Sequence, residues 1–403
     1  MADSAQPPSS GKGTHNAVLA GFLGWTFDAF DFFVLTFALE HIGREFGKTH
    51  ADMALTIAAT LATRWIGAIL FGLLADRYGR RIPLIVNILY YSLIEVLSGL
   101  APNYRVFFFL RLLYGIGMGG EWGVGASLTM ESIPSKWRGL VSGFLQEGYA
   151  LGYLLAAVAY GFIYPHWGWR PLFFVGGLPA LLTLFVRAKV KEPEAWRRSR
   201  TDWPAYRKAL FGNWRRFAYL VLFMAMANFI SHGTQDMYPT YLQHQHRFSP
   251  ELTSYITAFA MAGAILGGLA FGYFSDRKGR RRSMVTALLL GCVLIPMWVF
   301  APNLPLILAG GFLMQFMVQG AWGVIPAHIN ELSPDALRGF FPGFAYQLGV
   351  LIASGSAYFE ARMAHFMSYG RAMGLFALIV LVVGAVVIWF GPEEHRVEFG
   401  RGG

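Results

Sequence analysis

Charged residues are scarce in this chain of 403 residues. Asp, Glu, Lys and Arg together make up 14% of it, whereas a soluble domain has roughly 25%. Apolar residues account for 55%, which argues against an ordinary soluble protein and favours packed membrane helices. Cysteine occurs once, at Cys292, so an intrachain disulfide is excluded and a buried, inert thiol is expected.

Several chemical signatures are also missing from the sequence. No Gly-x-x-x-x-Gly-Lys-Ser/Thr loop occurs, so we do not expect nucleotide hydrolysis at such a loop. Gly115-Ile-Gly-Met-Gly-Gly120 matches Gly-x-Gly-x-x-Gly, but it follows no strand, and close helix packing explains it better. No nucleophile–base set or metal-ligand cluster is visible, so we expect no enzyme activity, no cofactor and no metal.

The apolar runs predict an all-α membrane protein. A membrane-spanning helix needs about 20 apolar residues. Residues 1–16 and 392–403 are expected to be cytoplasmic tails, the first of them disordered. Residues 188–213 are expected to be a cytoplasmic linker with a short surface helix from Glu194 to Trp203. The twelve predicted spans lie near 17–39, 52–75, 82–101, 104–127, 139–163, 170–187, 214–243, 252–275, 282–301, 303–328, 338–362 and 369–391.

The net charge of +10 comes from Lys and Arg that cluster in short stretches between these spans. They concentrate after spans two and eight and in the linker, and the opposite loops contain few. Basic loops mark the cytoplasmic side of a membrane protein. We therefore predict that both termini are cytoplasmic, and we do not expect nucleic-acid binding.

The two halves of the chain repeat. Gly72-Leu-Leu-Ala-Asp-Arg-Tyr-Gly-Arg-Arg81 recurs 200 residues later as Gly272-Tyr-Phe-Ser-Asp-Arg-Lys-Gly-Arg-Arg281. A parallel repeat of six spans predicts two pseudo-symmetric six-helix bundles, residues 17–187 and 214–391, related by an axis along the membrane normal. Further matches at the same offset are Ala101-Pro-Asn103, Trp122-Gly-Val124, Glu131 and Arg138-Gly139.

The repeated motif predicts a gate. Asp76 and Asp276 end helices, where a carboxylate opposes the helix dipole, so each is expected to find an outside partner such as a helix N-terminus in the other half. Arg138 and Arg338 begin spans five and eleven and are candidate cationic partners. Topological anchoring is the alternative explanation. The predicted gating residues are Asp76, Arg77, Arg80, Arg138, Asp276, Arg277 and Arg338.

Spans one and two contain ionisable residues at membrane depth, which usually mark functional sites. Asp28 and Asp31 are three residues apart and share a helix face, which suits a group that takes up and releases protons, although one of them could pair structurally with an Arg. Arg64 stays charged and needs an anion, either a protein carboxylate or the substrate. Arg111 is a candidate structural partner of Glu95 or Glu147.

Span seven has the densest polar stretch: Asn228-x-x-Ser231-His232-x-Thr234-Gln235-Asp236-x-x-x-Thr240. His232 and Asp236 are four residues apart and lie on one face of a helix. Because His titrates near neutral pH, the pair is a candidate proton site; a core histidine bonded to Asp236 is the alternative. In span eleven, Tyr346 and Gln347 are candidates for substrate contacts.

These motifs resemble a known family. The repeated Gly-x-Leu-x-Asp-Arg-x-Gly-Arg-Arg motif resembles the signature of the major facilitator superfamily. The polar pattern of span seven resembles that of the Jen-type lactate permeases, in the lactate/sialate:proton symporter group. The resemblance implies alternating access and symport of protons with short monocarboxylates such as lactate, pyruvate and acetate.

Carried over to this sequence, the resemblance assigns roles to individual residues. His232 and Asp236 look like the coupling pair and Arg64 like the carboxylate anchor, with Asn228, Ser231 and Gln235 as hydrogen-bonding neighbours. A sialic-acid or aromatic-acid:proton symporter and a transport-inactive sensor on the same fold are alternatives. We expect a monomer in the plasma or inner membrane that contacts lipid, a small carboxylate and protons.

Overall fold

A computed structural model describes residues 11–199 and 203–400 of the chain. The predictions for residues 1–10, 200–202 and 401–403 lie outside the described residues. Within the described ranges the chain is helical and contains no strand. In chain order the α-helices are α1 (Gly11–Glu45), α2 (His50–Tyr78), α3 (Arg81–Gly99), α4 (Tyr104–Ser132), α5 (Arg138–Gln146), α6 (Gly148–Trp167), α7 (Arg170–Val175), α8 (Ala180–Lys189), α9 (Glu194–Ser199), α10 (Trp203–Gly212), α11 (Trp214–Gln235), α12 (Tyr238–His244), α13 (Pro250–Lys278), α14 (Arg280–Val299), α15 (Leu304–Leu332), α16 (Phe341–Ala353), α17 (Ser356–Ala364) and α18 (Tyr369–Phe390).

These helices form twelve spans, four of which are interrupted. The interrupted spans are α5–α6, α7–α8, α11–α12 and α16–α17, while α9 and α10 lie in the linker. Ten spans are long and apolar enough to cross a membrane by composition. The spans formed by α4 and by α16–α17 complete the count through their places in the repeat.

The breaks in the helices have local causes. Gly176, Gly177 and Pro179 separate α7 from α8, because glycine favours an irregular backbone and proline lacks a donor. Helix starts follow capping rules: Asn103 and Asn303 accept hydrogen bonds from backbone N–H groups in the first turns of α4 and α15, as N-cap residues do. The sequence predicted none of the four breaks. It also placed the start of span one at residue 17, whereas α1 begins at Gly11.

Glycines bring α2 and α4 into close contact in the first bundle. A Cβ on Gly119 would lie 1.7 Å from the Arg64 carbonyl oxygen, and one on Gly115 would lie 2.0 Å from the Thr60 carbonyl oxygen. The second bundle repeats this packing between α13 and α15, where a Cβ on Gly267 would lie 2.0 Å from the Phe316 carbonyl oxygen. The stretch Gly115–Gly120 is therefore a helix-packing surface.

The two bundles meet on one side of the molecule. We call the side with loop residues 76–81 and 276–282 the basic side. The substantial contacts between bundles involve α2 and α4 with α16, α4 with α15, and α5 with α13 and α15. The segments farther from the basic side make their substantial contacts within their own bundles. These segments are α6, α7, α12 and α17. The bundles are thus closed on the basic side and separate on the opposite side.

Candidate functional site

Arg64 of α2 lies between the bundles, and no carboxylate of the described residues forms a hydrogen bond or an ion pair with it. Its side chain is buried, with 5% of the residue exposed. Neither Nε nor Nη2 finds an acceptor among the described residues. The guanidinium instead lies 5.6 Å from the ring centroid of Tyr346, on α16 of the other bundle. Because a buried, unpaired charge is costly, this arrangement favours binding of an anion at Arg64.

Two tryptophan rings lie next to the Tyr346 ring that contacts Arg64. The ring centroid of Tyr346 lies 4.7 Å from that of Trp122 on α4 and 6.1 Å from that of Trp322 on α15. The two tryptophans are equivalent in the sequence repeat, but Arg64 is matched by Ala264. The site therefore has aromatic walls from both bundles and a cation from only one. The repeat pointed to the tryptophans, but sequence reasoning had not placed them in the site.

Four carboxylates are buried in the first bundle away from the basic side: Asp28, Asp31, Glu95 and Glu121. Glu95 pairs with Arg111 at 2.7 Å, which is one of the two pairings expected from the sequence. Asp28, Asp31 and Glu121 have no hydrogen-bond donor among the residues with assigned positions, and the Arg64 guanidinium attracts the Asp28 carboxylate electrostatically. Four carboxylates share two guanidinium groups, so full ionisation would leave a net negative charge in the membrane interior. Such a cluster favours bound protons.

His232 and Asp236 form the expected pair on α11. His232 Nδ1 lies 3.1 Å from Asp236 Oδ2, and the two side chains are 40% and 39% exposed. The pair is therefore accessible rather than deeply buried, and no hydrogen bond or ion pair in the described part of the chain joins it to Arg64. Glu360 of α17, which is almost fully buried, lies near Asp236 and interacts with it electrostatically. The sequence analysis had not placed Glu360 in this group.

The polar neighbours predicted in span seven have different contacts. Gln235 donates from Nε2 to Gln315 Oε1 at 2.8 Å, and Ser231 Oγ accepts from Gln319 Nε2 at 3.4 Å, so both side chains face α15. Asn228 instead donates to the Met224 carbonyl of its own helix at 2.8 Å. The partners on α15 were missed, although glutamines in an apolar span were a visible signal.

Gln347 is also buried between the bundles. Neither its amide oxygen nor its amide nitrogen is hydrogen-bonded within the described ranges. It follows Tyr346 directly on α16, so it lies one residue from the aromatic wall of the Arg64 site.

Tyr149 of α6 connects the proton-binding candidates with the anion site. It interacts electrostatically with Asp28 and Arg64 of its own bundle and with Tyr346 and Asp236 of the other. The structure thus places these groups around one central region, open on the side opposite the basic side. The polar sequence Gln146-Glu147-Gly-Tyr149 inside an apolar span was the signal that could have identified it.

Asp76 and Asp276 join the bundles on the basic side. The Asp76 carboxylate accepts from the backbone N–H groups of Gly339 and Phe340 at 2.6 and 3.1 Å. Asp276 accepts in the same way from Gly139 and Leu140 at 2.8 and 3.0 Å. Each carboxylate therefore binds the start of a helix in the opposite bundle, where the helix dipole favours an anion.

Arg138 and Arg338 do not pair with these aspartates, contrary to the expectation from the sequence. Their Nη1 atoms lie 3.7 Å from Glu331 and Glu131, respectively. The aspartates already receive two backbone donors each and an ion pair within their own bundle, from Arg80 at 2.6 Å and Arg280 at 2.8 Å.

The two flanking arginines of the motif contact aromatic rings of their own helices. Arg277 lies 4.4 Å from the ring centroid of Tyr273, and Arg77 lies 6.0 Å from that of Tyr78. These contacts are within one bundle and would not change if the bundles separated.

Glu192 and Glu393 hold the starts of α3 and α14. Glu192 accepts from the backbone N–H groups of Arg80 and Arg81, and Glu393 accepts from Arg280 N at 2.6 Å. Burial raises the pKa of the Glu192 carboxyl, and the two backbone donors oppose that shift. Gly79 precedes α3 with φ of 104°, and a Cβ there would lie 2.6 Å from the Glu192 carboxylate, so glycine is required on both counts.

The C-terminal segment lies against the contact between the bundles. The Phe399 ring lies between the guanidinium groups of Arg138 and Arg338, with centroid distances of 3.5 and 3.7 Å. Arg396 Nη2 donates to the Asp276 carbonyl at 2.8 Å. The sequence analysis treated this segment only as a tail. Its basic and aromatic residues gave no distinctive signal.

The family model for the Major Facilitator Superfamily matches residues 21–249 and 221–402. The chain belongs to this superfamily. It is a multi-pass protein of the cell membrane, and the superfamily consists of transporters rather than enzymes. In the part of the chain that is described, no three His, Cys, Asp or Glu side chains are grouped so that they could hold a metal ion.

Two relatives in the superfamily have names that refer to small organic compounds. A probable 4-methylmuconolactone transporter of Cupriavidus pinatubonensis is 31% identical over 94% of this chain and 90% of its own length. A carboxylic acid transporter protein homolog of Saccharomyces cerevisiae is 27% identical over 87% of this chain and 61% of its own length.

A solved structure in the superfamily shares the fold. The proton:xylose symporter XylE, bound to 6-bromo-6-deoxy-D-glucose, superposes with a TM-score of 0.79 and covers 97% of this chain and 98% of its own. The identity is 18%, so this likeness shows the fold alone. The protein is thus a secondary transporter with the fold of its superfamily and with relatives named for small organic acids and a lactone.

Proposed function

We propose that the protein transports a small monocarboxylate together with a proton, and that Arg64 binds the carboxylate. The observation that carries this proposal is the buried, unpaired Arg64 guanidinium between the two bundles. Arg binds carboxylates through two parallel hydrogen bonds. The relative named as a carboxylic acid transporter homolog supports the same substrate class.

Coupling follows from competition for Arg64. When Asp28 is ionised, its carboxylate attracts the guanidinium and competes with the substrate anion. A proton on the Asp28/Asp31 group removes this competitor, so proton and substrate bind together more tightly than either does alone. The loaded centre then carries less net charge, and a neutral centre crosses the occluded state more easily. His232 and Asp236 provide a second, solvent-accessible pair of groups for the proton.

The substrate proposed first is a short monocarboxylate such as L-lactate, with pyruvate and acetate as further candidates. A planar, unsaturated or aromatic acid is the second candidate, because Tyr346, Trp122 and Trp322 form aromatic walls beside the anion anchor. Such walls favour flat π-systems. The relative named for 4-methylmuconolactone supports this second candidate.

We further propose that the basic side faces the cytoplasm and that Asp76, Asp276 and their arginine partners form the gate on that side. The contacts of both aspartates with helix starts in the opposite bundle support this role. The structure would then be the outward-open state of a monomeric carrier surrounded by lipid. Arg77 and Arg277 contribute to orientation through their positive charge.

The test is uptake of labelled L-lactate into proteoliposomes under an imposed inward proton gradient. We expect accumulation that collapses when the gradient is removed. Competition by unlabelled pyruvate, acetate, benzoate and sialic acid ranks the substrates, and stronger competition by benzoate would favour the second candidate. Absence of gradient-driven uptake of every acid in the panel would refute the proposal.

Variants identify the site. Arg64→Ala is expected to abolish uptake, and Arg64→Lys to retain charge but lose the paired hydrogen bonds. Losing a charge-assisted hydrogen bond costs about 1.5–3 kcal/mol, which corresponds to an increase of KM of roughly 10-fold to 150-fold. Arg105→Ala, at an exposed position in the first turn of α4, is the matched control and should leave uptake unchanged. Wild-type uptake by Arg64→Ala would exclude Arg64 as the anchor.

A further inference from the structure

The two contacts between the bundles on the basic side are built on the same residue pattern. On α5 and its end the pattern is Gly139, Gly143 and Glu147, and on α16 it is Gly339, Gly343 and Gln347. Residues four apart lie on one face of a helix, so each set forms a stripe that faces the other bundle. The stripes differ in one respect, because the carboxyl of Glu147 is replaced by the neutral amide of Gln347.

The α5 stripe packs tightly against α13 of the other bundle. A Cβ on Gly143 would lie 2.3 Å from the Gly268 carbonyl oxygen, and one on Gly139 would lie 2.3 Å from the Gly272 carbonyl oxygen. Glu147 is the next position along this stripe, and its Oε1 lies 2.2 Å from the Cβ position that Gly268 lacks. The Glu147 carboxyl therefore fills the end of the contact nearest to the central region, in the space left free by a glycine.

Glu147 has no compensating cation among the described residues. No hydrogen bond or ion pair within the described ranges reaches its carboxyl, and the residue is half-buried in the closed contact. The titratable groups on the elements packed against α5 include Asp28 and Asp31 on α1, Arg111, Glu121 and Glu131 on α4, Tyr149 on α6, Asp276 on α13, and His328 and Glu331 on α15. None of these forms a hydrogen bond or an ion pair with Glu147 within the described ranges.

We propose that Glu147 binds a proton when the bundles are closed on the basic side and releases it when they separate there. An ionised carboxylate without a cation is costly in the closed contact, whereas separation of α5 from α13 would hydrate it. The closed state therefore favours the neutral acid and the open state favours the carboxylate. Closing takes up the proton from the central region, and opening delivers it to the basic side.

This inference rests on the proposed proton symport only for the transport step. The link between protonation and conformation is a property of the empty protein. Gln347 at the equivalent place in the other stripe stays neutral at every pH, so only the α5 stripe carries a titratable side chain. The aspartates Asp76 and Asp276 also titrate, but their protonation would weaken the closed contacts and open them at low pH, which is the opposite direction. A single proton changes the closed–open equilibrium by at most about tenfold per pH unit.

The experiment measures that equilibrium without substrate. In a Cys292→Ala background, Ser142→Cys places a thiol on α5 at a buried position whose hydroxyl accepts from Ala327 N of the other bundle at 3.0 Å. The thiol is expected to react with a membrane-impermeant maleimide only when the contact opens. The rate is corrected for the intrinsic pH dependence of the reaction with a Ser199→Cys reference on linker helix α9. We expect the corrected rate to rise with pH, by no more than tenfold per unit.

Glu147→Gln gives both stripes a neutral amide at this position and should abolish the rise of the labelling rate with pH. Glu147→Asp keeps a carboxyl and should retain it, which separates loss of the titratable group from damage to the fold. The double variant Glu147→Gln/Gln347→Glu moves the carboxyl to the other contact and is expected to restore a pH response. In proteoliposomes, Glu147→Gln should keep substrate exchange but lose accumulation against a gradient by at least an order of magnitude.

The outcomes separate this inference from the proposed function. Labelling that does not rise with pH in the parent protein, or a rise with pH that survives Glu147→Gln, would overturn the role of Glu147 even if acid uptake is proton-driven. Labelling whose pH response disappears in Glu147→Gln and persists in Glu147→Asp supports the role even if none of the tested acids is transported.

Discussion

The carboxylates of Asp76 and Asp276 should set the stability of the closed state on the basic side. Asp76 also binds Arg80, but that ion pair lies within one bundle and is the same in the closed and open states. Only the bonds to Gly339 and Phe340 are lost when the bundles separate. We therefore predict that Asp76→Asn and Asp276→Asn each shift the equilibrium towards the state that is open on the basic side.

The magnitude follows from the number of bonds across the contact. Two bonds to a charged acceptor contribute about 3–6 kcal/mol, and an asparagine oxygen keeps one neutral bond of about 0.5–1.5 kcal/mol. After relaxation we expect a loss of about 2–4 kcal/mol, which shifts the equilibrium by roughly 30-fold to 700-fold. The two contacts share no residues, so the free-energy effects in the double variant should add.

Maleimide labelling of Ser142→Cys in the Cys292→Ala background is the assay, and the labelling rate should rise with the open fraction. Asp52→Asn is the matched control, because Asp52 caps the start of α2 within one bundle and should leave the rate unchanged. Equal labelling rates in the parent protein and in the Asp76→Asn/Asp276→Asn variant would refute the gate.

Three further predictions concern the packing around the gate and the bundles. Phe399→Ala removes two cation–π contacts of about 0.5–1 kcal/mol each, so Ser142→Cys labelling should rise roughly 5-fold to 30-fold; an unchanged rate would exclude a role for the ring. Gly119→Ala should prevent folding because its Cβ would meet backbone at 1.7 Å, whereas Gly161→Ala, with no atom within 4 Å, should be neutral; yields after detergent extraction compare them. Glu393→Gln weakens the cap of α14 and should lower the melting temperature, which a wild-type thermal unfolding curve would contradict.

The fold was largely predictable from the sequence because membrane helices leave strong signals. Apolar runs and the repeat at an offset of 200 residues predicted twelve spans in two bundles, and the superfamily assignment confirms that architecture. The breaks in four spans were not predictable in the same way. The break at Glu147 lies where α5 packs against α13 and α15 of the other bundle, and composition does not show that contact.

The candidate site residues stood out in the sequence, but their geometry did not. Ionisable residues at membrane depth are unusual, so Arg64 and the pair His232 and Asp236 were singled out as candidates. The sequence could not show that Arg64 lies against Tyr346 or that His232 and Asp236 are accessible and separate from it. The roles of these residues in transport remain predictions that the uptake assays test.

For the aspartates of the repeated motif, too, the sequence indicated the residues but not their partners. Position at a helix end predicted an outside partner, but not which of several candidates would provide it. The backbone N–H groups of Gly339 and Gly139 fill that role, and the two arginines expected there bind glutamates instead. Glycine leaves room for the carboxylate to approach the helix start, and that fit is visible only in three dimensions.

The position of Phe399 has a practical consequence for anyone who labels or immobilises this protein. The segment that holds Phe399 contacts both bundles at the place where they must separate. A reporter group or fluorescent protein attached next to Phe399 would pull the ring from its place between Arg138 and Arg338. Reporters of orientation are therefore better attached to an element that contacts a single bundle, such as the exposed surface of α6.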